Sequence, residues 1–406
     1  MKNVLLVSIA FPPKNNPECL QTAKCFKYLS KHAEINLDVV TSKSPTLFMP
    51  YDSNLEGYAT NIRQLIELPI KENKYVNFSI RKLCPWLLQK PDTKFTFFKQ
   101  WKKVVKSLKQ KPDIIYSRSF PLSSALMALQ LKKVYNVPWI MHLSDPWVEN
   151  PIDTRHKKSI RFNESKEREC FNIADAISFT SKKTIEIYEQ KYPDLKENFF
   201  HFPNVFDPEE IVENDFQFKS KIRFVYTGGL VEDRSPNHIF EAIKLLKERN
   251  INVDEKAEFV FAGDFDRKNL GYFDTYNLSC VKNLGFVSYA EAQKLQQSAD
   301  VLLVIDTPFE DSRKAVFFPS KILDYIIAQR RILALTDRAS TTYDIVHHKF
   351  GECVEHKNVA EIAKQIEQAI NAYSNKDKTY FNIKRIDSTF SAEFNTHRLV
   401  ELMSKL

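Results

Sequence analysis

Pro319, Ser320 and Lys321 open the run FFPSKILDYIIAQRRILAL (317–335), and their types and order suit the binding of an anion. Proline disfavours a helix before it, serine is a good N-cap, and Lys321 falls in the first helical turn. A cation there opposes the helix dipole by a few tenths to ~1 kcal/mol unless an anion is present. A diphosphate would reverse that sign by taking free backbone N–H groups, the hydroxyl and the ammonium together. The bland alternative is a solvated Lys321 paired with Asp324 three residues on. Glycine usage strengthens the anion reading. The chain has only seven glycines in 406 residues, about a quarter of average usage. Gly228 and Gly229 end IRFVYT, Gly263 ends EFVFA and Gly285 follows CVKNL. Each lets the backbone leave a strand sharply and approach a ligand closely.

Arg234 follows the glycine pair in TGGLVEDRSPNH and can reach the same anion; a surface ion pair with Glu232 or Asp233 would explain it equally well. His142 and Asp145 lie in WIMHLSDPW, at the carboxyl end of an apolar run, where polar groups serve as acid, base or orienting groups. A satisfied core histidine and a turn-starting Asp145 before Pro146 are the plain alternatives.

These residues need strands to hold them, and the chain alternates apolar strand-like runs with helical stretches, as parallel βαβ units do. Strands are expected at 3–10, 35–42, 63–69, 113–119, 139–145, 176–181 and 199–204, then at 222–229, 257–264, 281–288, 300–306, 331–337 and 351–356. Helices are expected near 18–33, 96–110, 122–135, 182–190, 236–249, 289–298, 320–329 and 359–373. Two doubly wound Rossmann-like domains follow: 1–205, and 206–385 beyond the polar, Pro-containing stretch 203–221. Residues 386–406 break the alternation as a last helix, with Phe394, Leu399, Leu402 and Leu406 broadly on one side.

Composition narrows the function. With 43% hydrophobic and 27% charged residues the chain has a globular composition. No apolar run approaches the ~18 residues needed to cross a bilayer. MKNVLLVSIAFPP lacks a small-residue cleavage site, so it reads as a buried first strand in a cytoplasmic protein. Six cysteines without a CxxC pair support neither a disulfide framework nor a zinc site, and no metal is expected. No GxGxxG follows a strand, which argues against a nicotinamide enzyme. Lys71–Lys111 carries twelve Lys/Arg against two acids, a net +10 in a chain of +8, so the basicity is local. Within it, Phe97, Trp101, Val104, Val105 and Leu108 share one face of an expected helix and Lys99, Lys102, Lys103, Lys106 and Lys109 largely the rest. That helix either packs on its own domain with a solvated basic face or docks on an anionic surface.

In order along the chain, FPP (11–13), PDIIYSRSFPLSS (112–124), VPWIMHLSDPW (137–147), PNVFD (203–207), FVYTGGL, FVFAGDF, NLGFVSYAEAQKLQQSADVLL and PSKILDYIIAQRRILAL resemble the GT-B glycosyltransferases, specifically the retaining family-four type that builds bacterial surface polysaccharides. The resemblance implies an α/β GT-B fold: two Rossmann-like domains facing a cleft, with the final helix crossing back to the first. It implies that Arg234 and Lys321 neutralise a donor diphosphate, Ser320 adds a hydrogen bond, and Asp324 stands where the family's second glutamate contacts the ribose. Gly263, Asp264 and Phe286 would border the nucleoside, with Gly228 and Gly229 in the same donor site, and His142 and Asp145 would line the acceptor side as the catalytic candidates. The chain departs from the pattern at KNNPE (14–18), where relatives place glycines, at Val316, eight before Asp324, and at Ser144, where close relatives carry arginine.

The expectation is a peripheral, metal-independent hexosyltransferase without cofactor, on the inner face of the cell membrane. It would move a sugar from a nucleotide donor to a lipid-linked or polysaccharide acceptor of O-antigen, capsule or lipopolysaccharide type. Its membrane contact would run through Lys71–Lys111, and no nucleic-acid partner is expected. The alternatives are a degenerate GT-B subunit that binds nucleotide-sugar without turnover and a nucleic-acid-binding protein using the basic segment.

Overall fold

The chain builds two parallel sheets, and their strands fall on the apolar runs of the sequence. A computed structural model describes residues 1–152, 155–213, 216–311, 315–381, 383 and 386–406. The first unit comprises Met1–Pro208 and Thr389–Leu406, the second Glu209–Ser388. Arg385, an expected boundary, lies outside the described residues, as do Asn214 and Asp215 of the stretch 203–221.

In the first unit β1 (Lys2–Val7), β2 (Ile35–Ser42), β3 (Gln64–Leu68), β4 (Ile114–Ser119), β5 (Trp139–Leu143), β6 (Ala176–Phe179) and β7 (Phe199–His201) form one sheet in the order β3-β2-β1-β4-β5-β6-β7. Its helices are α1 (Pro17–Leu29), α2 (Lys74–Leu83), α3 (Trp101–Ser107), α4 (Ser123–Tyr135), α5 (Lys157–Ile173) and α6 (Lys182–Lys191). In the second unit β8 (Ile222–Thr227), β9 (Ala257–Ala262), β10 (Val281–Asn283), β11 (Val301–Ile305), β12 (Arg331–Leu335) and β13 (Gly351–Val354) are ordered β10-β9-β8-β11-β12-β13. Its helices are α7 (Asn237–Glu248), α8 (Val253–Lys256), α9 (Arg267–Tyr276), α10 (Tyr289–Gln297), α11 (Lys321–Ile327), α12 (Thr341–Val346), α13 (Val359–Ser374) and α14 (Lys378–Phe381). Every pairing is parallel. β4, β5 and β11 are buried at every residue, because helices cover both faces of such sheets and continuous apolar runs replace alternation.

Each sheet reverses its strand order once, between β1 and β4 in the first and between β8 and β11 in the second. The connections leave in opposite directions at such a point and open a crevice beyond the carboxyl ends of the strands. The last helix, α15 (Ala392–Lys405), packs on α1 in the first unit. Its buried face is Ala392, Asn395, Thr396, Leu399, Val400 and Met403. Phe394 and Leu406, expected on the apolar side, are exposed; α15 meets its unit along a narrower stripe, one that accepts Asn395 and Thr396.

The basic segment is not one long helix. A 3-10 turn at Phe98–Gln100 precedes α3. Phe97 and Val104 are fully buried, and Phe98, Trp101, Val105 and Leu108 pack against the same core. The apolar face of α3 is therefore spent on its own unit, with Lys102, Lys103 and Lys106 exposed.

Candidate functional site

At the reversal point of the second sheet, β8 ends in Thr227 and the backbone turns at Gly228 with φ +122. A Cβ on Gly228 would meet the Lys321 Nζ at 2.6 Å, so glycine is what lets the ammonium lie on the loop. Gly263, at the end of β9 with φ +151, packs on Gly228 so closely that a Cβ would fall 2.0 Å from the Gly228 carbonyl oxygen. Two donated bonds, Gly228 N–H to the Ala262 carbonyl (2.9 Å) and Gly263 N–H to the Gly285 carbonyl (2.8 Å), hold the three glycine turns side by side. The Leu230 N–H donates to the Asp264 carbonyl at 3.1 Å, tying the loop after Gly229 to the next one. Asp264 and Phe286 are exposed on this edge, Phe286 at 80%.

Lys321 does not point to solvent. Its Nζ donates to the Tyr226 hydroxyl at 3.0 Å and lies 4.2 Å from the centre of the Tyr226 ring. The Tyr226 hydroxyl donates in turn to the Gly229 carbonyl at 2.8 Å. Burial and then the nearby Arg234 guanidinium lower the Lys321 pKa to about 7, partly opposed by Asp306 and Asp324. Arg234 does not pair with Glu232 or Asp233; Asp233 is taken by Lys268 at 3.0 Å. The Arg234 Nη2 donates to the Thr307 hydroxyl at a long 3.4 Å, and its buried Nε has no hydrogen-bond partner among the described residues. Two cations thus lie near two carboxylates, Asp306 and Asp324, of which Asp306 accepts a bond from the Thr336 hydroxyl at 2.6 Å. Burial raises the Asp306 pKa against these bonds and the two cations.

Ser320 occupies the N-cap position of α11, but its backbone is already helical (φ −59, ψ −27) and its hydroxyl makes no capping bond. A capping serine takes an extended conformation that turns its oxygen back over the first turn. The 3-10-like bond from the Ile322 N–H to the Pro319 carbonyl (3.1 Å) precludes that here. With only seven residues in α11, the side chains of Lys321 and Arg234, rather than a long helix dipole, dominate the local field. Asp324 is half-buried on α11, one turn beyond Lys321.

Sequence reasoning missed Tyr226, Asp306, Thr307 and His356. Asp306 had a readable signal: it ends the apolar run DVLLVID as Asp145 ends WIMHLSD. His356 follows β13, is 5% exposed and has an unpartnered buried Nε2. Burial lowers its pKa to about 4, with Asp337 opposing and His238 and Arg234 adding to the shift.

In the first unit the ring of His142 is fully enclosed in β5, beside Arg118 on β4 and Ser178 on β6. Its Nδ1 lies 3.0 Å from the Ser178 hydroxyl and the Phe202 ring closes over it at 5.7 Å. Burial, then Arg118 and His201, hold its pKa well below the usual histidine value. A neutral imidazole with no exposed edge does not offer the substrate-facing acid or base expected of it. The groups at the edge are Asp145, Ser144 and Glu18. Burial, then the neighbouring Glu18, raise the Asp145 pKa to about 7. Glu18, in the first turn of α1, accepts a bond from the Ser144 hydroxyl and lies 3.5 Å from the Arg118 Nε. The stretch KNNPE thus brings a carboxylate to the reversal point between β1 and β4.

Among the described residues one His/Glu cluster has metal-ligand spacing, His347, His348 and Glu352, with ligand atoms within 4.8 Å of one another. It sits at the start of β13, on the sheet edge opposite Arg234 and Lys321, and the other Glu352 oxygen pairs with Arg331 at 3.2 Å. No described helix is long and apolar enough to cross a membrane.

No family model and no curated protein matches the sequence. Solved structures do match over the whole chain. HepE from Anabaena, crystallised with UDP, aligns with TM-score 0.62 at 16% identity over 100% of both chains. Sucrose-phosphate synthase from Thermosynechococcus elongatus aligns at 0.63 and 13% identity, covering 100% of this chain and 99% of its own. UDP-GlcNAc 2-epimerase from Methanocaldococcus jannaschii aligns at 0.58 and 13% identity over 100% of both. At these identities the likeness is one of fold: two Rossmann-like parallel-sheet domains, as in GT-B proteins.

Proposed function

We propose that the protein is a glycosyltransferase that takes a sugar from a nucleotide-sugar donor held at the carboxyl edge of the second sheet. The observation that carries this reading is the Lys321 ammonium resting on Gly228, beside an Arg234 whose buried Nε lacks a partner among the described residues. Two half-buried cations at a glycine turn, neither in a direct ion pair with the nearby Asp306, suit a multiply charged ligand. Arg234 and Lys321 would take the diphosphate oxygens. Asp264 and Phe286, exposed beyond β9 and β10, would border the nucleoside, and Asp324 the ribose. Bond cleavage leaves charge on the departing nucleoside diphosphate, and cations fixed in advance lower that barrier without reorganising.

In the first unit Asp145, with its pKa about 7, is the group fitted to exchange a proton with an acceptor hydroxyl near neutral pH. Glu18, which accepts a bond from the Ser144 hydroxyl, sets its electrostatic surroundings. The family resemblance supports a retaining reaction without metal, a lipid-linked or polysaccharide acceptor, and a peripheral position at a membrane.

Calorimetric titration with UDP, GDP and uridine tests the donor site, and a panel of nucleotide-sugars scored for nucleoside diphosphate release tests turnover. Arg234→Ala should weaken the preferred nucleoside diphosphate about tenfold or more, the worth of a charge-assisted bond, and leave the nucleoside nearly unchanged. Equal loss for both ligands would refute the assignment. A second reading, binding without turnover, is favoured by Val316, which is 1% exposed and supplies packing where relatives often have a carboxylate. Tight diphosphate binding with no release from any donor would select it.

A further inference from the structure

α2 (Lys74–Leu83) stands out among the described helices of its length because none of its residues is buried. It is a formed helix, with the Asn73 side chain accepting from the Tyr75 and Val76 N–H groups. Yet Tyr75, Val76, Phe78 and Leu83 are 82%, 52%, 58% and 77% exposed. An amphipathic helix normally spends such residues on its own core, as α3 does with Phe97 and Val104 beside it. The neighbouring 3-10 turn Pro85–Leu87, which α2 contacts, extends the surface with an exposed Leu87.

The charges name the partner. Lys71, Lys74, Arg81 and Lys82 are all exposed. The sole acid between 71 and 83, Glu72, is enclosed in an ion pair with Lys94 at 2.5 Å. The surface therefore offers cations and apolar side chains with no exposed carboxylate among them. Lys82 lies 4.7 Å from the centre of the Phe78 ring and Lys158 4.2 Å from that of Trp86. This is the arrangement of side chains that sink an apolar body while keeping the charged head at phosphate level. Nucleic acid would use the cations and the aromatic rings, but Val76 and Leu83 have no role against phosphates or base edges. An anionic bilayer uses all of them.

We propose that α2 is an interfacial docking helix, lying in the headgroup layer of an anionic membrane with Tyr75, Val76, Phe78 and Leu83 in the acyl boundary. The inference deepens the peripheral-membrane part of the reading above, and it transfers the contact from the segment Lys71–Lys111 as a whole to one helix.

The test is flotation of the full chain with phosphatidylcholine vesicles, with and without about 30% phosphatidylglycerol. Wild type should partition to the anionic vesicles. The triple variant Lys74→Gln, Arg81→Gln, Lys82→Gln should lose about fivefold per charge, on the order of 100-fold in all. Tyr75→Ser, Phe78→Ser, Leu83→Ser should lose more than about tenfold at unchanged charge, which electrostatics alone does not explain. Both should melt as wild type does, since no buried side chain is altered. Lys102→Gln, Lys103→Gln, Lys106→Gln on α3 should lose less than about fivefold. Flotation of wild type with undiminished flotation of both α2 variants would overturn the role of α2 and leave the peripheral reading standing. Equal losses for the α2 and α3 charge variants, or tighter binding to a short RNA than to the vesicles, would also overturn it. Absence of wild-type flotation would overturn both, while titration with UDP and GDP judges the donor site independently.

Discussion

Replacing Lys321 with methionine should weaken diphosphate binding and stabilise the empty protein, and the pairing of the two effects is the informative part. The folded Lys321 has its pKa lowered from 10.5 to about 7 by burial and by Arg234. Between those values the unfolded chain binds the proton and the folded chain does not. Lys321 therefore costs stability, fully below pH 7 and progressively less as pH rises toward 10.5. Methionine removes the cost and still packs on Tyr226, forfeiting the ammonium–ring contact at 4.2 Å and the bond to its hydroxyl. The net gain should be about 1–3 kcal/mol at pH 6, read as a raised melting temperature, and should vanish near pH 10. Binding moves the other way. A charge-assisted bond to phosphate is worth about 1.5–3 kcal/mol, so affinity for the preferred nucleoside diphosphate should fall roughly 10- to 100-fold at pH 6.5. In wild type, affinity should decline about tenfold per pH unit above pH 7, because the ligand must first protonate Lys321. In Lys321→Met that slope should be absent. Calorimetry across pH 6–9 with melting curves on the same samples reads both. Parallel pH profiles, or a variant less stable at pH 6, would refute the argument.

The remaining predictions concern packing and the first unit. Gly263→Ala drives a Cβ into the Gly228 carbonyl oxygen and should cost more than about 2 kcal/mol in a urea melt; Gly228→Ala meets the flexible end of Lys321 and should lose diphosphate affinity with a smaller stability change. Asp145→Asn should remove an ionisation near pH 7 from the transfer rate. Because burial raises the folded Asp145 pKa from 3.8 to about 7, the carboxylate costs stability above that range, so the variant should gain stability at pH 8 and none at pH 3. Phe97→Ala, at a fully buried position, should cost about 3–5 kcal/mol, whereas Phe78→Ala on α2 should stay within about 0.5 kcal/mol in solution.

Strand positions were legible because buried parallel strands are written as unbroken apolar runs, and every run read as a strand forms one. α5 was not legible. Its inward face is Ser159, Asn163, Glu167, Cys170 and Phe171, more polar than apolar, so the buried side does not read as an apolar stripe. Hydrogen bonds do the work instead: Glu167 accepts from the Val148 N–H (2.8 Å) and the Tyr188 and Tyr192 hydroxyls (2.9 Å each), and Asn163 from the Trp147 ring N–H (2.9 Å). α2 is two-sided in sequence, and what the sequence does not record is that its apolar side chains meet no core. Around the candidate donor site, Gly228, Gly263, Arg234 and Lys321 could be singled out because glycine scarcity and strand ends are local signals. That Tyr226 underlies Lys321 depends on a contact across 95 positions, which no local pattern records.

The return of α15 to the first unit has a consequence for how the polypeptide is made. Domains usually fold in the order of their synthesis. Here Leu399, Val400 and Met403 complete a core with Phe26, Leu29 and Leu37, and they are translated after every residue of Glu209–Ser388. The unit begun first is finished last. During translation the outer face of α1 must wait uncovered while the second unit, whose residues are contiguous, is free to fold. A premature stop anywhere in the last stretch of the message would leave the second unit whole and damage the first.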